Sequence, residues 1–220
     1  MKRRREMEKG SEIRSAIEEL SMVVKVKPGV DPNVAYLPTK PFLYTCNLLI
    51  QILDKIGPTM AVLRQDIHQN IQRLEKIYEL DPSIYSNLIE ILKKEAGEGV
   101  AKKPTSCARA LVWLTRSLDF TVNLLEKLAK DVGQNLEQVV EDAYNVSLKP
   151  WHGWISSAAY KVALKLIPDN KTFIKLLMIE DEDYDMLKEE IQQLVPLLLS
   201  LLDDIHSILR TFRLDKLKAN

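Results

Sequence analysis

The chain is short of glycine, with seven in 220 residues, and of cysteine, with two. So few glycines leave little material for Gly-rich phosphate loops or turn-dense β architectures. Cys46 and Cys107 form neither a CxxC pair nor a disulfide framework. Each stands in an apolar helical stretch, where a reduced thiol behaves as a small hydrophobe, and a reducing compartment is the natural reading. Charge of one sign is also missing: Lys plus Arg and Asp plus Glu both count 31. That balance argues against a nucleic-acid binder, which needs a basic excess to neutralise phosphates. No secretory apolar region follows Met1. The longest apolar run, Leu194 to Leu202, is interrupted by Pro196 and is too short to span a bilayer. A cytosolic protein is expected, and the sequons at Asn145 and Asn170 read as unused matches. The three histidines, His68, His152 and His206, are dispersed, and no GxSxG, HExxH or P-loop pattern occurs. The expectation is a protein that is not an enzyme and needs no cofactor or metal.

What is present is helical periodicity. Residues 1–10, MKRRREMEKG, carry five basic and two acidic side chains and read as a solvated, disordered tail. A nuclear-import or anionic-membrane role for Arg3, Arg4 and Arg5 is the alternative. From there Ile13, Ile17, Leu20 and Val24 recur every three to four residues and mark one apolar stripe. A break follows at Pro28 to Pro38, and Thr39 is placed to cap the next helix. Gly57-Pro58 and Asp81-Pro82 read as stop-and-restart signals, giving helices from about Thr59 to Leu80 and from Asp81 to about Ala96. A long, strongly apolar helix is expected over Ser106 to Lys130, then helices near 134–149, 151–167, 170–179 and 183–211. No strand alternation and no internal repeat stand out. Residues 11–220 are thus expected to form a single all-α domain, large enough to bury roughly 70% of its unfolded surface.

Polar residues stand where apolar ones are expected. Asp66, Asn70 and Arg73 are spaced to share one helix face. In the apolar helix, Trp113, Arg116 and Asp119 are each three apart. A buried charge without a partner costs several kcal/mol, so this Arg and Asp need partners or an opening to water. One reading is a solvated face with a helix-to-helix salt bridge. The other is a polar patch at the mouth of an apolar interior, the usual build of a small-molecule site. In KPWHGWISSAAY, residues 149–160, Trp151 and Trp154 flank His152. On one helix the two indoles share a side, either as core residues or as an interfacial anchor.

Three runs, Asp66 to Arg73 (DIHQNIQR), Trp113 to Arg116 (WLTR) and Trp151 to Trp154 (WHGW), resemble in order and separation the signatures of the glycolipid transfer protein family. The resemblance covers about residues 38–180 and is closest to plant members, through the PTKPFL, LTRSLDF and KPWHGW stretches. It implies a two-layer helical sandwich of about eight helices enclosing an apolar lipid pocket. It further implies a soluble carrier that binds one sphingolipid, with a glycosylceramide favoured. By resemblance, Asp66 and Asn70 hold sugar hydroxyls and Asp66 also the ceramide amide N–H, Arg73 keeps a cation near the sugar, and Trp113 is the plate for the first sugar ring. His152 donates to the amide carbonyl, Phe120 and Leu124 line the chain pocket, and Trp154 docks on the membrane. The implied partners are the sphingolipid and, transiently, membrane surfaces, with the carrier a monomer.

The chemistry agrees with these roles. An amide in an apolar cleft presents one donor and one acceptor, which a carboxylate and a His N–H satisfy. A sugar ring has an apolar face that a Trp plane matches. Relatives that bind ceramide-phosphate place cations where Trp113 and Asn70 stand, whereas Arg116 occurs in both groups. Arg109, one turn before Trp113, departs from the family's uncharged residue. It is placed to pair with Asp66, to narrow the sugar site, or to favour a smaller or anionic headgroup. The closing DKLKAN also lacks the family's terminal aromatic. A carrier of ceramide or ceramide-phosphate, and a sphingolipid sensor or adaptor, are the alternative readings.

Overall fold

The structure is a computed structural model that describes residues 11–26, 36–131, 133–179 and 183–219. The basic segment 1–10 and most of the 27–38 linker lie outside the described residues. Among the described residues the chain forms ten α-helices and no strand: α1 (Glu12–Val26), α2 (Thr39–Ile56), α3 (Ala61–Leu80), α4 (Pro82–Tyr85), α5 (Leu88–Gly97), α6 (Cys107–Lys130), α7 (Leu136–Ser147), α8 (Trp154–Leu164), α9 (Asn170–Leu177) and α10 (Tyr184–Thr211). Pro58–Met60 adds a 3-10 turn before α3.

The punctuation works as expected at three places. Gly57 closes α2 with φ at 108°, a conformation open to glycine, and its N–H donates to the Leu53 carbonyl. Asp81 accepts from the amides of Ser83 and Ile84, with Pro82 in the first turn behind it. Ser106 Oγ accepts from the Arg109 amide and caps α6.

Three expectations change. The helix expected from Asp81 to Ala96 is split into α4 and α5, which adds one helix to the expected segments and brings the count to ten, against the about eight that the resemblance implied. The cause is a long-range contact. Asn87 Oδ1 accepts from the amides of Leu37 and Ile89, the Thr39 amide donates to the Ser86 carbonyl and the Leu88 amide to the Leu37 carbonyl. Residues 86–88 thereby serve the chain entering α2 and cannot continue a helix. Thr39, expected as a cap, is instead the first helical residue, and its Oγ1 donates to the Tyr85 carbonyl at 2.6 Å. The third change is at 151–153. These residues form a turn ahead of α8, so Trp151 and Trp154 do not share a helix side.

The helices close a circuit: α1 packs on α2, α2 on α3, α3 on α6, α6 on α10, and α10 back on α1. α5 and α7 add to α6, and α9 to α2. Leu111, Leu114, Leu118 and Leu128 of α6 are almost wholly removed from solvent. Each such side chain contributes about 1.5–3 kcal/mol by burial, so α6 is the axis of the core. Glu190 in α10 accepts from Ser11 Oγ at 2.8 Å and from Arg14 Nε at 2.7 Å, which pins the start of α1. A cavity of about 390 Å³ lies between α1, α2 and α10, against Leu20, Leu37, Tyr78 and Leu201. Neither Phe120 nor Leu124 lines it. No described helix is long and apolar enough to cross a membrane.

Candidate functional site

The start of α6 is fixed from α5. Glu95, a buried carboxylate, accepts from the amides of Cys107 and Ala108, both at 2.7 Å. It thereby places a negative charge at the positive end of the helix. Arg109, Trp113 and Arg116 then project from α6 at spacings of four and three, along one face.

Arg116 is only 3% exposed. Its guanidinium lies over two indoles, 4.8 Å from the Trp113 ring centre and 4.2 Å from that of Trp151. Aromatic faces attract a cation, and more strongly when water is excluded. Its Nη2 donates to the carbonyls of Asp215 at 3.3 Å and Leu217 at 2.5 Å. Its Nη1 is buried with no hydrogen-bond partner among the described residues. Burial pulls its pKa down to about 10 against the opposing charge of Asp119, so the cation persists at neutral pH. Arg109 is also buried and donates from Nη2 to the Lys218 carbonyl at 2.8 Å. The Ala219 amide donates to the Trp151 carbonyl at 2.8 Å.

His152 sits in the turn between α7 and α8, its ring centre 5.6 Å from that of Trp113 and tilted by 42°. The turn closes through donation from the amides of Trp151 and His152 to the Leu148 carbonyl. Tyr144 Oη is 3.2 Å from His152 Nδ1. Tyr144 is itself held flat on Tyr160, with ring centres 3.4 Å apart. Tyr144 Oη also donates to Ser157 Oγ at 3.3 Å, so the hydroxyl bridges the His152 ring to α8 and holds its orientation. Burial, and then the Arg116 charge, lower the His152 pKa, which keeps the ring neutral at physiological pH.

The α3 residues form a second group. Asn70 is buried, and its Nδ2 donates to the Asp66 carbonyl at 3.0 Å. Asp66 stands on an exposed stretch of α3, yet enough protein surrounds its carboxyl to raise its pKa, while Arg73 pulls it back. Arg73 Nη1 donates to the carbonyls of Pro104 at 3.2 Å and Ser106 at 3.3 Å. It therefore ties α3 to the cap of α6, one turn before Arg109.

Of the residues singled out in the sequence, Trp113, Arg116 and His152 are brought into contact. Asp66, Asn70 and Arg73 line one stretch of α3, which packs on α6. Phe120 is half-buried and Leu124 packs against the core. Trp154 is 82% exposed, and Ile155 and Val162 on α8 are exposed with it. Sequence reasoning missed Tyr144, Glu95 and the stacking role of Trp151. A Tyr eight residues before His152, within an apolar stripe, gives no separate signal. The carbonyls that meet Arg109 and Arg116 are backbone atoms, to which side-chain identity is silent.

Residues 37–179 match the model of the family described as glycolipid transfer protein. The chain is 55% identical to Arabidopsis thaliana glycolipid transfer protein 3, with 100% of each covered. It is 53% identical to Arabidopsis thaliana glycolipid transfer protein 2, again over 100% of each. Among solved structures, one concerning how FAPP2 selects simple glycosphingolipids with the GLTP fold is similar at a TM-score of 0.77 and 23% identity, covering 86% of this chain and 92% of the other. A mutant of the Arabidopsis accelerated-cell-death 11 protein, complexed with C12 ceramide-1-phosphate, is similar at a TM-score of 0.80 and 20% identity, covering 94% and 98%. These two likenesses concern the fold. With the family match over residues 37–179 and identity above half along the whole length of two relatives, the chain belongs to the glycolipid transfer protein family.

Proposed function

We propose that this chain is a carrier that takes up one sphingolipid from a membrane and delivers it to another, without making or breaking a bond. The observation that carries the reading is the cluster of Trp113 and Arg116 on α6 with His152 from the turn before α8, beside the fully buried leucines of α6. A polar cluster at the head of an apolar face suits a molecule with a polar end and hydrocarbon chains. Asp66 accepts the amide N–H of the ceramide and, with Asn70, meets headgroup hydroxyls. His152, neutral and held in orientation by Tyr144, donates to the amide carbonyl. Trp113 offers its ring to the first sugar, and Arg73 keeps a cation beside Asp66. Phe120 and Leu124 meet the chains, which enter as the close-packed faces around α6 part. Residues 11–220 act as one domain and as a monomer.

Each buried methylene of a lipid is worth about 0.8 kcal/mol, so two long chains hold a lipid in a bilayer by on the order of 20 kcal/mol. A carrier has to offer comparable apolar burial at the membrane itself. The exposed Trp154, Ile155 and Val162 on α8 give it an apolar footing there, close in sequence to His152.

Transfer of fluorescent glucosylceramide between vesicles tests the reading. Wild type moves it, and Trp113→Ala and Asp66→Val each slow it at least about tenfold, since each removes a direct headgroup contact. A wild-type protein that moves neither glucosylceramide, ceramide nor ceramide-phosphate sinks the reading. Carriage of ceramide-phosphate is the second reading, and the pair of buried arginines, Arg109 and Arg116, is the observation that favours it.

A further inference from the structure

The segment after α10 does something the headgroup roles leave unexplained. Arg213 takes a left-handed conformation, with φ at 56°, that a non-glycine residue adopts only against strain. The Leu214 amide donates to the Leu209 carbonyl, and the Leu214 side chain is fully buried, which together hold that reversal. The chain is thereby turned back across the start of α6. Three of its next carbonyls, at Asp215, Leu217 and Lys218, accept from the guanidiniums of Arg116 and Arg109. The bond from the Ala219 amide to the Trp151 carbonyl fastens the end of the segment to the backbone of the residue whose indole lies against Arg116.

Two buried guanidiniums on one helix face would ordinarily make an anion site, because planar paired donors match phosphate oxygens. Here neutral peptide oxygens stand in the positions such oxygens would take. The buried Nη1 of Arg116, unpartnered among the described residues, shows that the strap does not exhaust the donors. A neutral hydroxyl can use one remaining donor. A phosphate, which brings charge and several oxygens, has to displace the strap first.

We propose that the segment Asp215–Ala219 is a headgroup-selectivity element, whose backbone carbonyls occupy Arg109 and Arg116 and so exclude phosphate-bearing lipids from a site otherwise ready to take them. The proposal rests on the carrier reading and names which headgroups that site refuses. The guanidiniums, and not the aromatic plate alone, then set the choice between neutral and anionic sphingolipids.

The test uses a variant ending at Leu214, the variant Ala219→Pro, and a third that adds Arg109→Gln to the shortened chain. Ala219→Pro removes the amide that ties the strap to Trp151 and leaves the strap's carbonyls in the chain. Each is titrated with water-soluble short-chain ceramide-phosphate and with inorganic phosphate, following emission from the indoles beside Arg116. Thermal melts establish that each variant is folded. The expected result is binding of the short-chain ceramide-phosphate at least about tenfold tighter in the shortened chain than in wild type, a smaller gain in Ala219→Pro, and loss of the gain when Arg109→Gln is added. A parallel gain for inorganic phosphate also supports the proposal. A gain for inorganic phosphate without one for the lipid counts against it. A folded shortened chain that binds the phosphate lipid no tighter than wild type overturns it. Because the titration needs no transfer, a wild type unable to move glucosylceramide strikes the carrier reading, while the strap stands or falls on the titration alone.

Discussion

Helices α6 and α8 break the inside–outside rule in opposite senses. α6 carries Arg109 and Arg116 into the interior, whereas α8 buries none of its eleven residues and holds Trp154, Ile155 and Val162 in solvent. The charges inside α6 are met by the chain itself, through carbonyls of the segment after α10 and two indole faces, and the helix start by the Glu95 carboxylate. Among the described residues, nothing covers Trp154, Ile155 and Val162 of α8 in the same way. A buried charge left alone costs several kcal/mol, so it has to be answered within the fold. An exposed apolar side chain forgoes only about 1.5–3 kcal/mol of burial and can wait for a surface. The two departures therefore mark different things, a site held in shape and a surface held in reserve. On that contrast, disturbing α6 changes stability and disturbing α8 does not.

The largest effect is expected at the start of α6. Glu95→Ala leaves the amides of Cys107 and Ala108 buried without their acceptor and removes a charge from the helix N-terminus. The loss is on the order of 3 kcal/mol, from two charge-assisted hydrogen bonds in a buried place. The urea midpoint at constant m-value reads it. A loss below about 1 kcal/mol would mean that water reaches those amides and that α6 is not held from within.

Much of this was legible in the sequence, and what was not has a common cause. Gly57-Pro58, Asp81-Pro82 and Ser106 act locally, through their own backbone or within one turn, so their signals survive in the order of residues. The three signature runs likewise single out Trp113, Arg116 and His152 from the order of residues alone. The split between α4 and α5 was hidden because it is imposed by Leu37 and Thr39, some fifty residues earlier in the chain. Trp151 and Trp154 read as one helix side because a turn built on the Leu148 carbonyl leaves no mark that a helical period would miss. The partners of Arg109 and Arg116 were hidden for the strictest reason, since a peptide carbonyl is offered by every residue type.

A smaller and pH-dependent effect is expected where α6 meets α10. His206 Nε2 lies 2.9 Å from Asp119 Oδ1. The hydrogen bond to Asp119 raises the His206 pKa, and partial burial opposes it. A histidine whose folded pKa is raised contributes stability that is fully present below its unfolded value of about 6.5 and is lost as pH rises through the folded value. The stability difference between wild type and His206→Gln is therefore expected to favour wild type at about pH 6 and to shrink as the solution is made alkaline. Denaturant midpoints of both proteins across that range check it. A difference that is constant with pH would show that His206 serves by packing alone.

The smallest effect on the fold, and the most telling for the comparison, is expected at Trp154. With 82% of its surface in water, the indole makes almost none of the contacts through which a core residue stabilises its neighbours. Trp154→Ala should leave the free energy of unfolding unchanged within about 0.5 kcal/mol, as substitutions on open surfaces do. The same change removes the largest apolar side chain of α8, whose ring suits the boundary between headgroups and acyl chains. Binding to vesicles of neutral lipid, followed by sedimentation, should then fall about tenfold while the melting curve stays in place. A variant that keeps its vesicle binding would remove Trp154 from the docking surface. A variant that loses both binding and stability would show the indole to be structural, and the contrast between α6 and α8 would fail at its simplest point.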